Sequence, residues 1–214
     1  MKDIMLLFDL DGTLWDSGRE IALAWNMAIN KVIPGYKTLT TEDIHSIMGK
    51  TMDEIVMIFF PDLPEDMRSR VYEECIRIEN EYLTENGAVL FDGVSETLHM
   101  LKDSGYSLAV VSNCQSGYIP AFMRSMKLED VFCDFEEWGN TLKPKSDNIR
   151  LVMKRNGFTK GIYIGDTQKD GDSARACSIP FIHAAYGFGT DPQPDGILRR
   201  FDELPDVLER LLKN

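Results

Sequence analysis

Short apolar segments alternate with amphipathic segments along the second half of the chain, and one further apolar segment lies near its beginning. The clearest runs are Ile4 to Phe8, Leu108 to Val111, Ile162 to Ile164 and Phe181 to Ile182. A weaker fifth run is Val131 to Phe135. Runs of this length are typical of strands buried on both faces of a parallel sheet, although a buried helix can share the pattern. Helical spacing between the later runs, as at Val94, Leu98 and Leu101, predicts an α/β protein with a doubly wound parallel sheet.

The stretch between the first and second apolar runs lacks a strand pattern and carries helical signals instead. Ser17-x-x-Glu20 and Thr51-x-x-Glu54 predict helix starts with capping boxes. Pro64 suits the first turn of a longer helix, and Gly87 suits its end. The pattern predicts an inserted all-helical domain at residues 16–87. The α/β core is then formed by two segments, residues 1–15 and 88–214.

Composition narrows the range of partners and compartments. The 214 residues carry a formal net charge of −12, which argues against nucleic acid or an anionic membrane as a general partner. The four cysteines are far apart, without the spacing of a zinc site or a disulfide scaffold. The first residues lack an apolar leader, and the longest notable apolar run, Ile55 to Phe60, is far short of the ~18 residues of a membrane span. We therefore expect a cytoplasmic protein, either monomer or homodimer.

Polar side chains follow several of the predicted strands, at the edge of a parallel sheet where ligands bind. These residues, with a lysine from a nearby loop, are Asp9, Asp11, Ser112, Asn113, Asp166, Asp170 and Lys143. Two carboxylates about 4 Å apart repel by roughly 1 kcal/mol in water and about 4 kcal/mol at an effective dielectric constant of 20. A carboxylate cluster without His or Cys favours a hard cation such as Mg²⁺. Together with the lysine and a helix that starts near Gly117, the pattern predicts a phosphoryl site.

Four sequence motifs carry a resemblance to a known family. They are FDLDGTL at residues 8–14, VVSN at 110–113, Lys143-Pro144, and GDTQKD at 165–170. In this order, and over nearly the whole chain, they resemble the motifs of the haloacid dehalogenase-like (HAD) hydrolases. The helical segment resembles the cap that many members carry between the first two motifs, and the overall plan is similar to phosphoglycolate phosphatase-like members.

The resemblance implies a role for each aspartate of the first motif. Asp9 is expected to be the nucleophile that forms an aspartyl-phosphate. Asp11 is expected to protonate the leaving oxygen and then to take a proton from the hydrolytic water. Dehalogenating members lack the second aspartate, so Asp11 favours a phosphate ester over a carbon–halogen bond.

The resemblance also implies the phosphate-binding residues. Ser112 and Asn113 are expected to hydrogen-bond the transferring phosphoryl group. Lys143 is expected to balance its negative charge and that of Asp9. Lys145, two residues further on, is the alternative for the lysine that enters the site.

A Mg²⁺ ion is the cofactor that the resemblance implies. Its expected ligands are the carboxylates of Asp9 and Asp166 and the backbone carbonyl of Asp11. Asp170 is expected to support the metal's water molecules or Lys143.

The function expected from these features is that of a Mg²⁺-dependent phosphatase acting on a small phosphomonoester, phosphoglycolate-like or a sugar phosphate. Alternatives within the family are a β-phosphoglucomutase-like phosphomutase and a pyrophosphatase or 5′-nucleotidase. A non-enzymatic alternative is a phospho-receiver signalling module. The inserted helical domain and the Asp-x-Asp pair disfavour it. Specificity is expected to lie in the cap, where residue spacing does not indicate a substrate.

Overall fold

The computed structural model describes residues 2–191 and 193–213. The strands within this part are β1 (Met5–Phe8), β2 (Trp15–Asp16), β3 (Val89–Leu90), β4 (Ser107–Ser112), β5 (Asp134–Glu137), β6 (Gly161–Gly165), β7 (Phe181–Ala184) and β8 (Gly196–Leu198). The α-helices are α1 (Gly18–Val32), α2 (Thr41–His45), α3 (Met52–Phe59), α4 (Glu65–Asn86), α5 (Val94–Asp103), α6 (Tyr118–Ser125), α7 (Trp138–Thr141), α8 (Lys145–Arg155), α9 (Gln168–Ala176) and α10 (Leu204–Lys213).

A six-stranded parallel sheet forms the α/β part of the protein, in the order β5-β4-β1-β6-β7-β8. Leu6 of β1 pairs with Leu108 of β4 on one side and with Ile162 of β6 on the other. All four residues of β1 are buried, because helices cover both faces of the sheet. Strand order reverses around β1, which places the ligand-binding edge at its carboxyl end.

The apolar runs predict β1, β4, β6 and β7 correctly and are less accurate elsewhere. The weak fifth run is displaced, because Val131 and Phe132 are buried in the loop and β5 starts at Asp134. β8 lies at the edge of the sheet, where Ile197 is 50% exposed, so its three residues lack an all-apolar pattern.

The helices α1 to α4 follow one another between residues 18 and 86. The chain enters this helical segment through β2 and leaves it through β3, and the two strands pair antiparallel, Trp15 with Leu90 and Asp16 with Val89. The sequence-based domain boundaries at 15/16 and 87/88 lie at this strand pair. One hydrophobic cluster continues from the sheet into the helical segment, where Trp25 of α1 is buried.

Helix starts and ends follow local rules, with one exception. The backbone N–H of Thr51 donates to the Glu54 carboxylate at 2.8 Å, as the predicted capping box requires. Gly87 ends α4 with a φ of +67°, a conformation that glycine adopts without strain. The capping box predicted at Ser17 is wrong, because the Ser17 hydroxyl donates to Asp11 instead of capping α1.

Across the described residues, the helices are each too short or too polar to cross a lipid bilayer.

Candidate active site

Asp9 lies at the carboxyl end of β1, at the centre of the sheet edge, and is 2% exposed. Burial raises the pKa of its carboxyl to about 6, and the negative charge of Asp170 adds to the shift. The ammonium of Lys145 and a hydrogen bond from Ser112 act in the opposite direction and stabilise the carboxylate. Asp9 is therefore a desolvated carboxyl group whose charge is opposed by burial and favoured by Lys145.

The lysine that lies beside Asp9 is Lys145, and the expected Lys143 does not reach it. Lys145 Nζ lies 2.9 Å from Asp9 Oδ1, and the side chain is buried. Lys143 is exposed and belongs to the loop before α8, whereas Lys145 is the first residue of that helix, directly after Pro144. The helix start turns the second lysine toward the strand ends and leaves the first lysine in solvent.

Asp170 holds Lys145 in place. Its Oδ1 accepts from Lys145 Nζ at 2.5 Å, and its Oδ2 accepts from the backbone N–H and the hydroxyl of Thr167 at 3.0 and 2.6 Å. The Thr167 contacts form the capping box of α9, so helix geometry fixes the Asp170 carboxylate. Both oxygens of Asp170 are engaged within the protein, which suits a residue that orients the lysine.

Asp166 contributes an oxygen that is free to bind a cation. Its Oδ2 accepts from the backbone N–H of Phe188 at 2.7 Å, whereas its buried Oδ1 lacks a hydrogen-bond partner within residues 2–191 and 193–213. One carboxylate oxygen each from Asp9, Asp166 and Asp170 lie within 4.8 Å of one another. Burial, followed by the charges of Asp170 and Asp9, raises the pKa of Asp166 to about 8. An all-oxygen cluster with an unsatisfied carboxylate fits a hard divalent cation.

Asp11 faces the same cavity as Asp9, and three donors orient its carboxyl group. Its Oδ1 accepts from Trp15 Nε1 at 2.8 Å, from the Ser17 hydroxyl at 2.5 Å and from the Tyr118 hydroxyl at 2.8 Å. Burial raises the pKa of Asp11, and the three hydrogen bonds partly counteract this increase. A positioned carboxyl with an elevated pKa suits general acid–base catalysis.

The sequence interpretation missed these three supporting residues. Ser17 was assigned to a helix cap, and the spacing of Trp15 and Tyr118 in the sequence contains no signal for a contact with Asp11. Tyr118 comes from α6, more than a hundred residues further along the chain, and its packing against Trp15 of β2 brings it close.

Gly12 allows the chain to turn away beneath the carboxylates. Its φ is +79°, and a Cβ atom at this position would lie 2.4 Å from Asp166 Oδ2. Both the left-handed backbone and the close approach require glycine.

Ser112 and Asn113 both reach the cavity from the end of β4. Ser112 lies near Asp9 and helps to lower the pKa of its carboxyl group. Asn113 Nδ2 donates to the backbone carbonyl of Gly49 at 3.2 Å, which connects the sheet edge to the helical segment. Of the predicted phosphate-binding pair, Ser112 contacts the nucleophile and Asn113 contacts the helical segment.

The N-terminus of α6 is not available to an anion, contrary to the sequence-based expectation. The backbone N–H groups of Gly117 and Ile119 donate to the carboxylate of Glu137, at 2.9 and 2.6 Å. A protein carboxylate thus takes the position expected for a phosphate.

A cavity separates the sheet edge from the helical segment, and Asp9, Asp11 and Ser112 line its sheet side. The enclosed space is small, and the cavity is partly open to solvent. The helical segment supplies the opposite wall, which is mainly apolar and contains Ile21, Trp25, Ile47, Met48, Met52 and Ile55. Two charged residues, Lys50 and Glu79, interrupt this apolar wall.

Comparison with known proteins agrees with this arrangement. Residues 6–184 match the family model described as haloacid dehalogenase-like hydrolase. The phosphoglycolate phosphatase of Aliivibrio fischeri is 27% identical over 224 residues, which cover 97% of each chain. That of Colwellia psychrerythraea is 28% identical over 225 residues, or 95% of each chain.

The fold comparison extends over the same length. A crystal structure described as a predicted phosphoglycolate phosphatase from Haemophilus somnus superimposes with a TM-score of 0.85 at 23% identity. The match covers 97% of this chain and 99% of the other. The chain therefore belongs to the haloacid dehalogenase-like hydrolase family and is a phosphatase of that family.

Proposed function

We propose that the protein is a Mg²⁺-dependent phosphatase that hydrolyses a small phosphomonoester through an aspartyl-phosphate on Asp9. The observation that carries the proposal is the position of the Asp9 carboxylate. It is buried, lies 2.9 Å from the ammonium of Lys145, and shares one cavity with Asp11. In this proposal Asp9 is the nucleophile, Lys145 balances its charge, and Asp11 is the acid–base residue in the same cavity.

In the first half of the reaction, an Asp9 oxygen attacks phosphorus and forms a phosphorus–oxygen bond. The bond to the leaving alcohol breaks, and Asp11 gives its proton to the alcohol oxygen. The elevated pKa of Asp11 favours the protonated form that this step requires.

In the second half, water attacks the phosphorus of the aspartyl-phosphate and gives a proton to the Asp11 carboxylate. The bond to Asp9 breaks, and inorganic phosphate leaves. The donors from Trp15, Ser17 and Tyr118 keep Asp11 in one orientation through both steps. The first proton leaves with the alcohol, and the proton from water restores Asp11 to its starting form.

Lys145 and Ser112 stabilise the negative charge that passes between Asp9 and the phosphoryl group. Phosphoryl transfer depends mainly on positioning and charge stabilisation, so a fixed ammonium near the nucleophile is effective. Mg²⁺, held by the carboxylates of Asp9 and Asp166 and the backbone carbonyl of Asp11, would supply the remaining positive charge on the phosphoryl oxygens.

We further propose that residues 16–87 act as a cap over the site. Contacts between this segment and the core close the cavity: Asn113 with Gly49, and Lys169 with Glu54 at 3.4 Å. The Lys169–Glu54 ion pair is exposed, so its loss on opening would cost little free energy. Opening would admit the substrate, and closure would exclude bulk water from the aspartyl-phosphate.

The test is the release of inorganic phosphate from a panel of phosphorylated metabolites, first with Mg²⁺ and then with EDTA. Asp9→Asn and Asp11→Asn should each abolish turnover while the circular dichroism spectrum stays that of the wild type. Asp172→Asn, which changes an exposed aspartate on α9, is the matched control and should retain activity. Full activity in the Asp9 variant, or in EDTA, would contradict the proposal.

A second measurement examines the cation site without turnover. Mg²⁺ should raise the thermal midpoint of the wild type, because a ligand that binds only the folded state stabilises it. Asp166→Asn should remove most of this increase. An equal increase in both proteins would place the cation elsewhere.

A further inference from the structure

The apolar wall of the cavity contains a carboxyl group that the reaction does not use. Glu79 lies on α4, in the helical segment, and is 3% exposed. Its Oε2 accepts from Trp25 Nε1 at 2.5 Å, which fixes the direction of the group. Asp9 and Asp11 line the same cavity, so a substrate seated on Asp9 extends its leaving group toward this wall.

Within residues 2–191 and 193–213, the Glu79 carboxyl does not form an ion pair. The groups that act on Glu79 are the Trp25 indole, the Gln115 amide and the Asp11 carboxyl, and a cation is not among them. Burying a carboxyl costs free energy unless its hydrogen-bonding capacity is satisfied. Glu79 lies in the wall of the ligand cavity, so its carboxyl group is placed to accept a hydrogen bond from a ligand.

The surroundings favour a neutral donor over a charged one. The neighbouring wall residues Trp25, Met52 and Ile55 present apolar surface, which disfavours an ammonium group. Lys50 lines the same cavity and would repel a second cation. A hydroxyl group satisfies the carboxylate at the lowest desolvation cost.

We propose that Glu79 selects the leaving group by accepting a hydrogen bond from one of its hydroxyl groups, so that the substrate is a phosphorylated polyol or sugar. This inference rests on the proposed phosphatase function. A leaving group that ends in a carboxylate, as in 2-phosphoglycolate, would bring a second negative charge to Glu79 and is selected against. A site built to accept from a hydroxyl also rejects analogues that lack it.

Four esters of nearly equal size test the inference. They share a two-carbon leaving group and differ only at its end: 2-hydroxyethyl phosphate, ethyl phosphate, 2-phosphoglycolate and O-phosphoethanolamine. For the wild type with Mg²⁺, kcat/KM for the hydroxyl ester should exceed that for each of the other three by at least about 10-fold.

Two substitutions separate charge from hydrogen bonding. Glu79→Gln keeps the shape and an acceptor but removes the charge, so at pH 8, where wild-type Glu79 is mostly ionised, kcat/KM for 2-phosphoglycolate should rise about 10-fold relative to the hydroxyl ester. Glu79→Leu removes the acceptor, so the hydroxyl and ethyl esters should become equal substrates. Glu85→Gln, an exposed change on the same helix, should leave every ratio unchanged.

The outcomes that overturn the inference differ from those that overturn the phosphatase proposal. Wild-type preference for 2-phosphoglycolate, or for the ammonium ester, contradicts the selection of a hydroxyl. Ratios that are unchanged in Glu79→Gln also contradict it, provided that the thermal midpoint shows a folded variant. If the wild type hydrolyses none of the esters, nor any member of the metabolite panel, the phosphatase proposal itself is wrong.

Discussion

The ammonium of Lys145 lies 2.9 Å from Asp9 Oδ1, and both side chains are about 3% exposed. A buried ion pair depends on both partners, because removal of one leaves an uncompensated charge in a poorly solvated environment. The pair is therefore a structural constraint on the strand edge, and in the proposed mechanism it also positions the nucleophile. Asp170 contacts the same ammonium and completes the arrangement.

Lys145→Met should lower kcat/KM by at least about 10²-fold, because the variant loses the fixed positive charge beside the nucleophile. Lys143→Met should stay within about twofold of the wild type, since Lys143 is exposed. Steady-state phosphate release with a single good substrate measures both. The opposite order of effects would contradict the assignment of the lysine.

Asp170→Asn should reduce kcat/KM by about 10- to 100-fold, the usual effect of changing a residue that orients a catalytic group. The amide retains an acceptor for Lys145 but removes the negative charge that stabilises the ammonium. Asp172→Asn is again the control, because Asp172 pairs with Arg175 at the surface. Wild-type activity in Asp170→Asn would show that Lys145 does not need this partner.

Gly12→Ala and Gly35→Ala separate backbone strain from steric conflict at the site. Both glycines have positive φ, +79° and +77°, so each alanine should cost about 1 kcal/mol of unfolding free energy. At Gly12 the new Cβ would also lie 2.4 Å from Asp166 Oδ2, whereas at Gly35 it has open space. Activity should be lost only in Gly12→Ala. Urea unfolding and phosphate release measure the two effects, and equal activities would contradict the steric argument.

The buried Glu79 should make stability depend on pH. Burial raises the pKa of Glu79 from 4.5 to about 7, against hydrogen bonds from Trp25 and Gln115. Between these values the folded protein keeps a proton that the unfolded chain releases, so this contribution to unfolding free energy is present below pH 4.5 and falls as pH rises toward 7. The shift corresponds to about 3 kcal/mol.

Glu79→Gln should lose this pH dependence, because the amide does not titrate. The difference in unfolding free energy between Glu79→Gln and the wild type should grow in favour of the variant between pH 5 and pH 8. Urea unfolding at several pH values measures it, with Glu85→Gln as the exposed control. Parallel curves for the two proteins would show that Glu79 has an ordinary pKa.

The position of the strands could be predicted from the sequence wherever burial on both faces makes a strand entirely apolar. β1, β4, β6 and β7 meet this condition, and so the polar residues that follow them were placed at one edge. β8 is an edge strand that includes an exposed isoleucine, and β2 and β3 have two residues each, too few for a pattern.

Residues of the site could be predicted where they directly follow a strand. They could not be predicted where a loop decides which side chain points into the site. Asp9 and Asp166 lie within one or two residues of a strand end. The choice between Lys143 and Lys145 depends on where α8 begins, and both lysines adjoin Pro144. Glu79 and Tyr118 reach the cavity through the packing of helices, which a sequence pattern does not record.

The carboxylate of Glu137 at the start of α6 determines which groups can attract a negatively charged substrate. The field of that helix is neutralised internally, so attraction for a doubly charged ester has to come from other groups at the cavity, among them Lys145 and Lys50. Under the proposed Mg²⁺ dependence, substrate affinity would also follow the free concentration of that ion, and the rate would respond to a change in magnesium supply.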